Sequence, residues 1–330
     1  MIMKAEIYFE PNYGKLYETV EGGKSVNWRY EGCEGIVNHM FLFRKIPINL
    51  NDGDWFDIIT PYGYGGPVIQ EVRSGHQKKD LVCAFEKSFS EYCKEKRIVS
   101  EFVRFHPILN NAQDFVDVYH AEHIRNTVGT DLKHYSDPVA AEFSKSCRKT
   151  IRQAINKGVS WKITVNPQNL DRFREIYYAT MDRNRADTYY YFDDTYFNNC
   201  QNFYGDHILL VEALYNGSTI AAGLYFIWNS TIHIHLSGTY SEYLFLSPAY
   251  ILRYAVTLWG KEHGCELIHH GGGRSNSRED SLYLFKKQFG KNTEFDFFVG
   301  KKIWNQVMYD RFCTAAGKAS DNDFFPAYRV

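Results

Sequence analysis

Residues 207–238 read HILLVEALYNGSTIAAGLYFIWNSTIHIHLSG, three apolar runs that two short turns separate. The runs are His207 to Leu214, Thr219 to Trp228 and Thr231 to Gly238, with Asn216-Gly217 and Asn229-Ser230 between them. Asn-Gly is a typical two-residue hairpin turn, because Asn and Gly both tolerate a positive φ. The segment therefore predicts an antiparallel meander of three strands.

A helix and a strand are predicted directly after the meander. Ser247-Pro248 is a typical N-cap followed by proline at the first helical position, and Gly264 marks the end of that helix. Cys265 to His269 predicts a strand that leads into three glycines. Asp280-Ser281 opens a further helix, and Phe295 to Val299 predicts a last strand before a C-terminal helix.

The first part of the chain predicts a similar alternation of strands and helices. Strands are expected from Gly35 to Pro47, Trp55 to Pro61 and Val99 to Phe105, with a helix from Leu81 to Glu95 and a further strand around Phe115 to His120. Helix, strand and polar turn follow one another in both halves, at 81–107 and at 249–273. This order favours an internal duplication, which residue identity alone does not establish.

Between the halves, one helix is predicted from Asp137-Pro138 to Gly158. One of its faces is basic and carries Lys145, Arg148, Lys149 and Arg152. A solvated helix surface is one reading of this face, and phosphate contact by Arg148 and Arg152 with a nucleotide or tRNA is the other. We place the domain boundary near Asp137, with domains at 1–136 and 137–330.

Composition indicates a globular protein, for which we expect a cytoplasmic location. The order of the predicted strands and helices favours the α/β class, with α+β character and mixed sheets flanked by helices. The formal charge of −1 gives no reason to expect DNA as a partner. The 7 cysteines are scattered without a CxxC pair, which fits a reducing cytosol. Met1 to Glu10 has no signal-peptide pattern, and apolar runs such as Ile220 to Trp228 are too short to span a membrane.

Five strings of the sequence together resemble the FemAB-like acyltransferases of the GNAT superfamily. They are TPYGYGGP at 60–67, RFHP at 104–107, HLSGT at 235–239, HHGGG at 269–273 and DSLYLFKKQFG at 280–290. The resemblance implies two GNAT-like (acyl-CoA N-acyltransferase) units with a cleft between them, the catalytic one being C-terminal. It also implies transfer of an acyl or aminoacyl group to an amine.

The resemblance leaves the donor and the acceptor open. Characterised members take aminoacyl-tRNA and extend the peptide of a peptidoglycan precursor, whereas related members among polysaccharide-building enzymes suggest an amino-sugar acceptor. Acetyl-CoA is the alternative donor, although Ser237 to Tyr243 lacks the glycine pair of a CoA-binding loop. A third alternative is a glycan-binding protein of GNAT descent without activity. No tightly bound cofactor and no metal are expected.

Lys286 and the preceding Phe285 are candidate catalytic residues, and Lys286 is the first choice for the reacting group. Acyl transfer needs a positive group where the oxyanion forms. In the resembling enzymes a lysine directly after phenylalanine in an FKxxF-like string stabilises that intermediate, and Phe285-Lys286 opens FKKQF here. Lys287 is the alternative within the string, and a surface lysine on an amphipathic helix is the competing interpretation.

Glycine-rich strings supply the candidate substrate-binding residues. Glycines allow a ligand to approach the backbone, and neighbouring aromatic or polar side chains can stack on it or bind it. A plain structural turn is the competing interpretation of each string. The candidates are Tyr62, Gly63, Tyr64, Gly65, Gly66, Arg104, His106, Ser237, Gly238, Thr239, His269, His270, Gly271, Gly272, Gly273, Arg274, Asp280 and Ser281.

Histidines on one strand face are candidates for proton transfer. His233, His235 and Ser237 alternate with period two and so share a face. His235 is the candidate relay for the amine proton, since the pKa of histidine is near neutrality. Zinc binding by His233 and His235 together with His269-His270 lacks a recognised ligand spacing.

Overall fold

The computed structural model of the protein describes residues 6–329. Met1 to Ala5 and Val330 lie outside this range. The prediction that Met1 to Glu10 carries no signal peptide therefore falls partly outside the described residues. The chain forms two compact units, one of which runs to Ile124 and resumes at Asp296, while the other is Arg125–Phe295. The first unit is therefore built from both ends of the described chain.

Helices and strands alternate along the described residues, and short 3-10 turns join some of them. The helices are α1 Pro11–Leu16, α2 Glu18–Glu21, α3 Lys78–Glu95, α4 Val116–Tyr119, α5 Pro138–Glu142, α6 Lys145–Asn156, α7 Asp171–Arg183, α8 Asp194–Tyr204, α9 Pro248–Glu262, α10 Ser281–Lys287 and α11 Gln306–Ala316. The strands are β1 Gly23–Gly32, β2 Gly35–Lys45, β3 Phe56–Ile59, β4 Val68–Val72, β5 Ile98–Arg104, β6 Glu122–Asp131, β7 Ser160–Val165, β8 Ile208–Tyr215, β9 Ser218–Trp228, β10 Thr231–Thr239, β11 Leu267–Gly271 and β12 Glu294–Ile303.

The sheet of the first unit has the order β1-β2-β3-β5-β12, and β4 also pairs with β2. All of these pairs are antiparallel except β3 with β5, which are parallel and have α3 between them in the chain. Phe85 and Phe89 of α3 pack on Val37 and Phe41 of β2 in the core. The apolar face of α3 thus covers the sheet.

The sheet of the second unit has the order β6-β11-β10-β9-β8-β7. Strands β7 to β10 form an antiparallel meander, β10 and β11 are parallel, and β11 is antiparallel to β6. Helix α9 connects the two parallel strands, and its Leu252 and Val256 lie in one core with Cys147 and Ile151 of α6. The meander and the helix-strand step that follows it are confirmed.

The predicted division, with one boundary near Asp137, differs from the observed units in two ways. The second unit begins at Arg125 rather than near Asp137, and residues from Asp296 onward lie in the first unit rather than the second. The reason is burial, because Met308, Tyr309 and Phe312 of α11 share a core with Ile46 and Val99 of the first unit.

Three local predictions were wrong. Phe115 to His120 contains the helix α4 rather than a strand. The single helix expected from Asp137 to Gly158 is broken at Phe143, whose side chain is buried, and Ser144 caps a new helix by accepting from the amide of Cys147 at 3.1 Å. Ser247 precedes α9 as expected, but with a φ of 53° its hydroxyl makes no capping hydrogen bond.

Within residues 6–329 no helix combines the length and the apolarity that crossing a bilayer requires.

Candidate active site

The two parallel strands of the second unit part at a pair of histidines. Their registered pairing ends at His233 and His269, after which β10 continues to Thr239. Each strand has an irregularity just beyond this point, near His235 in β10 and near His270 in β11. A bulge redirects side chains and ends pairing, and crevices beyond the carboxyl ends of parallel strands commonly hold ligands.

The glycines that follow β11 are held by two cationic side chains of the same unit. Lys286 Nζ donates to the carbonyl oxygen of Gly272 at 2.7 Å, and Arg125 Nη1 donates to that of Gly273 at 2.7 Å. Gly271 has a φ of 75°, which a residue with a β-carbon rarely adopts. The glycine run is therefore a shaped loop whose carbonyls face positive charge.

Lys286 is half-buried on α10, and its ammonium is disfavoured there. Burial lowers the pKa of Lys286 to about 7, and the positive charges of Arg253 and Arg125 act in the same direction, whereas Asp280 opposes them. The amine is thus shared between its charged and uncharged forms at neutral pH. A lysine in this state can donate a hydrogen bond to an oxyanion or accept a proton.

Lys287, the alternative within the same string, has a different environment. Its ammonium donates to the carbonyl oxygens of Gly290 and Lys291 and pairs with Glu294 at 3.1 Å. These contacts close the end of α10. Between the two lysines, the geometry favours Lys286 as the reactive one.

Arg253 is part of this surrounding and was missed by the sequence analysis. It lies on α9 with 3% of its surface exposed. Its guanidinium carbon is 4.9 Å from the ring centre of Phe285 and 5.6 Å from that of Phe289. Phe285, a predicted catalytic residue, is thus a packing partner of Arg253. The available signal was a single charge inside the apolar run YILRYAVTLW, residues 250–259.

Asp280, predicted to bind substrate, instead organises the loop before α10. Its carboxylate accepts hydrogen bonds from the amides of Tyr283, Ser275 and Arg274. Backbone hydrogen bonds from these residues help to lower the pKa of Asp280 to about 2, against the opposing effect of desolvation. The side chains of Arg274 and Ser281 are exposed beside it. The carboxylate is occupied as an N-cap.

His235, the predicted proton relay, is held uncharged. Its Nε2 is 2.5 Å from the hydroxyl of Tyr196. Burial, and then the nearby His233, lower the pKa of His235 to about 3. A base with so low a pKa takes up a proton poorly at neutral pH, so the structure gives His235 a hydrogen-bonding role.

His269 and His270 both hydrogen bond to β6. His269 Nε2 lies 2.9 Å from the hydroxyl of Thr127, and His270 Nε2 lies 2.8 Å from that of Thr130. Thr130 donates its own proton to the carbonyl of Phe289, so His270 must donate through Nε2. Its Nδ1 is then a buried acceptor without a hydrogen-bond partner.

The other predicted residues of β10 are engaged by α7. An added β-carbon at Gly238 would lie 2.6 Å from the carbonyl oxygen of Ile176, so only glycine fits. The amide of Thr239 donates to the Thr180 hydroxyl at 2.8 Å. Ser237, on the same strand, is partly exposed.

The predicted residues of the first unit form an aromatic cluster around a glycine loop. The ring of Tyr8 lies 5.3 Å from those of Tyr64 and His106, and Tyr13 donates to the carbonyl of Tyr62. Gly63 and Gly66 have positive φ values of 94° and 85°. Gly65 is buried, and Arg104 donates to the carbonyl of Thr60 at 2.9 Å. These contacts favour a packed structural turn.

The two predicted phosphate-binding arginines differ in environment. Arg148 donates to the carbonyls of Ala140 and Phe143, across the break between α5 and α6. Arg152 is exposed. Within residues 6–329 no three His, Cys, Asp or Glu side chains gather as a metal site requires.

Comparison with known proteins agrees with the resemblance seen in the sequence. Residues 114–219 match the sequence model of the FemAB family. Over these residues the chain is similar to the FemAB family. No curated protein matches its sequence. The FemAB match covers the beginning of the meander but not α9 or α10. The description of the site around Arg253 and Lys286 therefore depends on the structure and not on this match.

Three solved structures share the fold at low sequence identity. A crystal structure of FemX is 14% identical with a TM-score of 0.68, covering 93% of this chain and 94% of that one. The C-terminal domain of a putative lysylphosphatidylglycerol synthetase from Agrobacterium fabrum is 11% identical with a TM-score of 0.58, covering 94% and 92%. L-PGS from Bacillus licheniformis is 11% identical with a TM-score of 0.54, covering 94% and 98%. The predicted fold class, a mixed α/β fold with sheets flanked by helices, is confirmed.

Proposed function

We propose that the protein is an N-acyltransferase, which transfers an acyl or aminoacyl group to an amine of a cell-envelope or polysaccharide precursor in the cytosol. The observation that carries the proposal is the position and protonation of Lys286. Its amine has a pKa of about 7 and lies beside the glycine loop that follows β11. The FemAB-like sequence and the shared fold with FemX support the same reaction class.

The reaction requires little more than positioning and a group that can change its charge. The lone pair of the acceptor amine forms a bond to the acyl carbon, and the carbonyl electrons move to oxygen. Lys286, as an ammonium, would donate a hydrogen bond to that oxyanion. When the oxyanion collapses, the ester or thioester bond breaks and the leaving oxygen or sulfur takes a proton. No redox partner is needed.

A donor screen tests the proposal directly. Purified protein is incubated with aminoacyl-tRNA or with acetyl-CoA, each together with a peptidoglycan precursor or an amino sugar, and donor consumption is measured. We expect one donor to be consumed only in the presence of an amine acceptor. Consumption of acetyl-CoA with an amino sugar would assign the alternative acetyltransferase activity.

A pair of neighbouring lysines provides the matched control. Lys286→Ala should lower turnover by about 100-fold or more, as loss of an oxyanion donor does, while leaving the fold intact. Lys287→Ala removes the ion pair with Glu294 and should change turnover little. Equal turnover in wild type and Lys286→Ala would remove Lys286 from the mechanism. Glycan binding without consumption of either donor would show a binding protein instead.

A further inference from the structure

Arg253 is a buried cation that no carboxylate of residues 6–329 balances. With 3% of its surface exposed, it forms no ion pair with any of residues 6–329. Its Nε has no hydrogen-bond partner in the described part of the chain, and Nη1 makes a long contact of 3.4 Å to the carbonyl oxygen of Ala249. Burying an unpaired charge is costly, so its presence calls for a reason beyond stability.

The guanidinium is instead held by the aromatic rings on either side of Lys286 in sequence. Phe285 and Phe289 both lie within cation–π distance of Arg253. Tyr250, one turn earlier on α9, packs edge-on against Phe285 at 5.2 Å, and its hydroxyl contacts Gln288. Helix α9 therefore packs against α10 and the two residues that follow it, through residues 285, 288 and 289. Lys286 lies between these contact residues in the sequence.

We propose that Arg253 is a positioning residue for Lys286: it fixes the flanking phenylalanines Phe285 and Phe289 and, as a neighbouring cation, favours the uncharged form of the lysine amine. The inference deepens the function proposed above and rests on it. It adds a second task to Lys286, namely accepting the proton of the attacking ammonium before donating to the oxyanion.

Three charged groups and one histidine surround Lys286. Arg253 of α9 and Arg125 of β6 both disfavour the ammonium, and Arg253 is the stronger of the two. Asp280, the cap of α10, favours it. His270 of β11 is uncharged, because burial and the charges of Arg253 and Lys286 keep its pKa well below the usual range. Removing the Arg253 charge should therefore have the largest effect on the lysine.

The added task completes the proton balance of the proposed transfer. An acceptor ammonium gives its proton to the uncharged Lys286 amine and becomes a nucleophile. Once the carbon–nitrogen bond has formed, the acceptor nitrogen loses its second proton to water. The bond to the leaving group then breaks, and the proton held by Lys286 passes to the leaving oxygen or sulfur. Lys286 returns to its uncharged form, and no further reactant is consumed.

Competitive acetylation by acetic anhydride measures the lysine without any substrate. Folded protein is labelled across pH 5 to 10, and fragment masses report acetylation of Lys286 and Lys287 separately, so Lys287 serves as an internal reference. We expect the reactivity of wild-type Lys286 to reach its midpoint near pH 7. In Arg253→Met that midpoint should rise by about one unit or more.

Two further variants separate charge from packing. Arg253→Lys keeps the charge and loses the planar guanidinium, so its midpoint should stay close to that of wild type. Arg152→Met removes an exposed arginine of α6 and should leave the midpoint unchanged. An unchanged midpoint in Arg253→Met would overturn the proposal. Loss of the fold in both Arg253→Met and Arg253→Gln, seen by circular dichroism, would show a purely structural role and overturn it as well.

The experiment also separates this inference from the proposed function. Labelling needs neither donor nor acceptor, so the coupling of Arg253 to Lys286 can hold in a protein that transfers no acyl group. Conversely, if turnover is found and its pH profile is the same in wild type and in Arg253→Met, the acyltransferase proposal stands and the positioning role is wrong.

Discussion

In the first unit Asp57 is completely buried and accepts hydrogen bonds from Arg44 at 3.0 Å and Arg329 at 2.5 Å. In the second unit Arg253 is almost as deeply buried and has no carboxylate within reach among residues 6–329. Both units place a helix between two parallel strands, α3 between β3 and β5 and α9 between β10 and β11. The two units thus share the strand–helix–strand arrangement, but they differ in whether the buried charge has an oppositely charged partner.

Other buried polar groups show this contrast only in part. Glu101 of the first unit lies 2.5 Å from His39 Nε2 and accepts from the indole of Trp304 at 3.0 Å. In the second unit His270 Nδ1 and the hydroxyl of Tyr225 are buried and have no hydrogen-bond partner among residues 6–329, but the same holds for His39 Nδ1 in the first unit. Paired buried charges hold a fold together, whereas unpaired ones cluster where chemistry requires them. The unpaired charge of Arg253 is therefore the feature that favours the second unit as the place of the proposed chemistry.

The largest expected effect is the loss of a paired charge in the first unit. Asp57→Ala leaves Arg44 and Arg329 without their common acceptor and should lower the free energy of unfolding by about 3 to 5 kcal/mol. Urea unfolding followed by circular dichroism measures it. Asp54→Ala is the control, because Asp54 pairs with Lys45 in an exposed position and should cost less than about 1 kcal/mol. Equal losses of unfolding free energy in Asp57→Ala and Asp54→Ala would contradict the view that the buried ion pairs stabilise the first unit.

The second prediction concerns the uncharged histidine of β10. His235 has a pKa of about 3 in the folded protein, against about 6.5 when unfolded. Between these values the unfolded chain binds the extra proton, so stability is lost as pH falls below 6.5, by up to about 1.4 kcal/mol per pH unit. His235→Gln should have a flatter pH dependence in urea unfolding. Replacing the exposed His76 by Gln should keep the wild-type slope.

The third prediction tests whether the glycine loop of the first unit is a structural turn. An alanine β-carbon at Gly63 would lie 2.6 Å from the ring of Tyr8, and its φ of 94° is also unfavourable. Gly63→Ala should therefore cost about 2 kcal/mol or more of unfolding free energy. Gly75→Ala has a similar φ and open space around it, so about 1 kcal/mol is expected. Comparable losses of unfolding free energy in the two variants would show that the contact with Tyr8 does not contribute to the cost at Gly63.

Much of the second unit was predictable from its sequence because its strands alternate or run apolar between clear turns. The strands that were missed lack that signal. β1 and β7 are edge strands whose residues are half-exposed or exposed, and β6 begins with exposed polar residues. Residues from Asp296 onward belong to the first unit because α11 is buried against residues far away in the sequence, such as Ile46 and Val99. No local sequence pattern reveals such a contact.

The site was predictable only where a motif marked it. Lys286 follows Phe285 in a recognisable string, and the structure gives it a distinct environment. Asp280 and Gly238 were expected to bind substrate because of their residue type, but their contacts are an N-cap and a close helix approach. Arg253 was missed because arginine on a helix is ordinarily exposed. Its burial depends on the packing of α9 against α10.

The smallest expected effect has the opposite sign to the first. Arg253→Met replaces an unpaired buried cation by an apolar side chain of similar length, and it keeps contact with Phe285 and Phe289. Because the burial of an uncompensated charge is unfavourable, we expect the free energy of unfolding to rise by about 1 kcal/mol, measured in urea as for Asp57→Ala. A loss of several kcal/mol would mean that Arg253 is as structural as Asp57, and the charge contrast between the units would then no longer locate the chemistry.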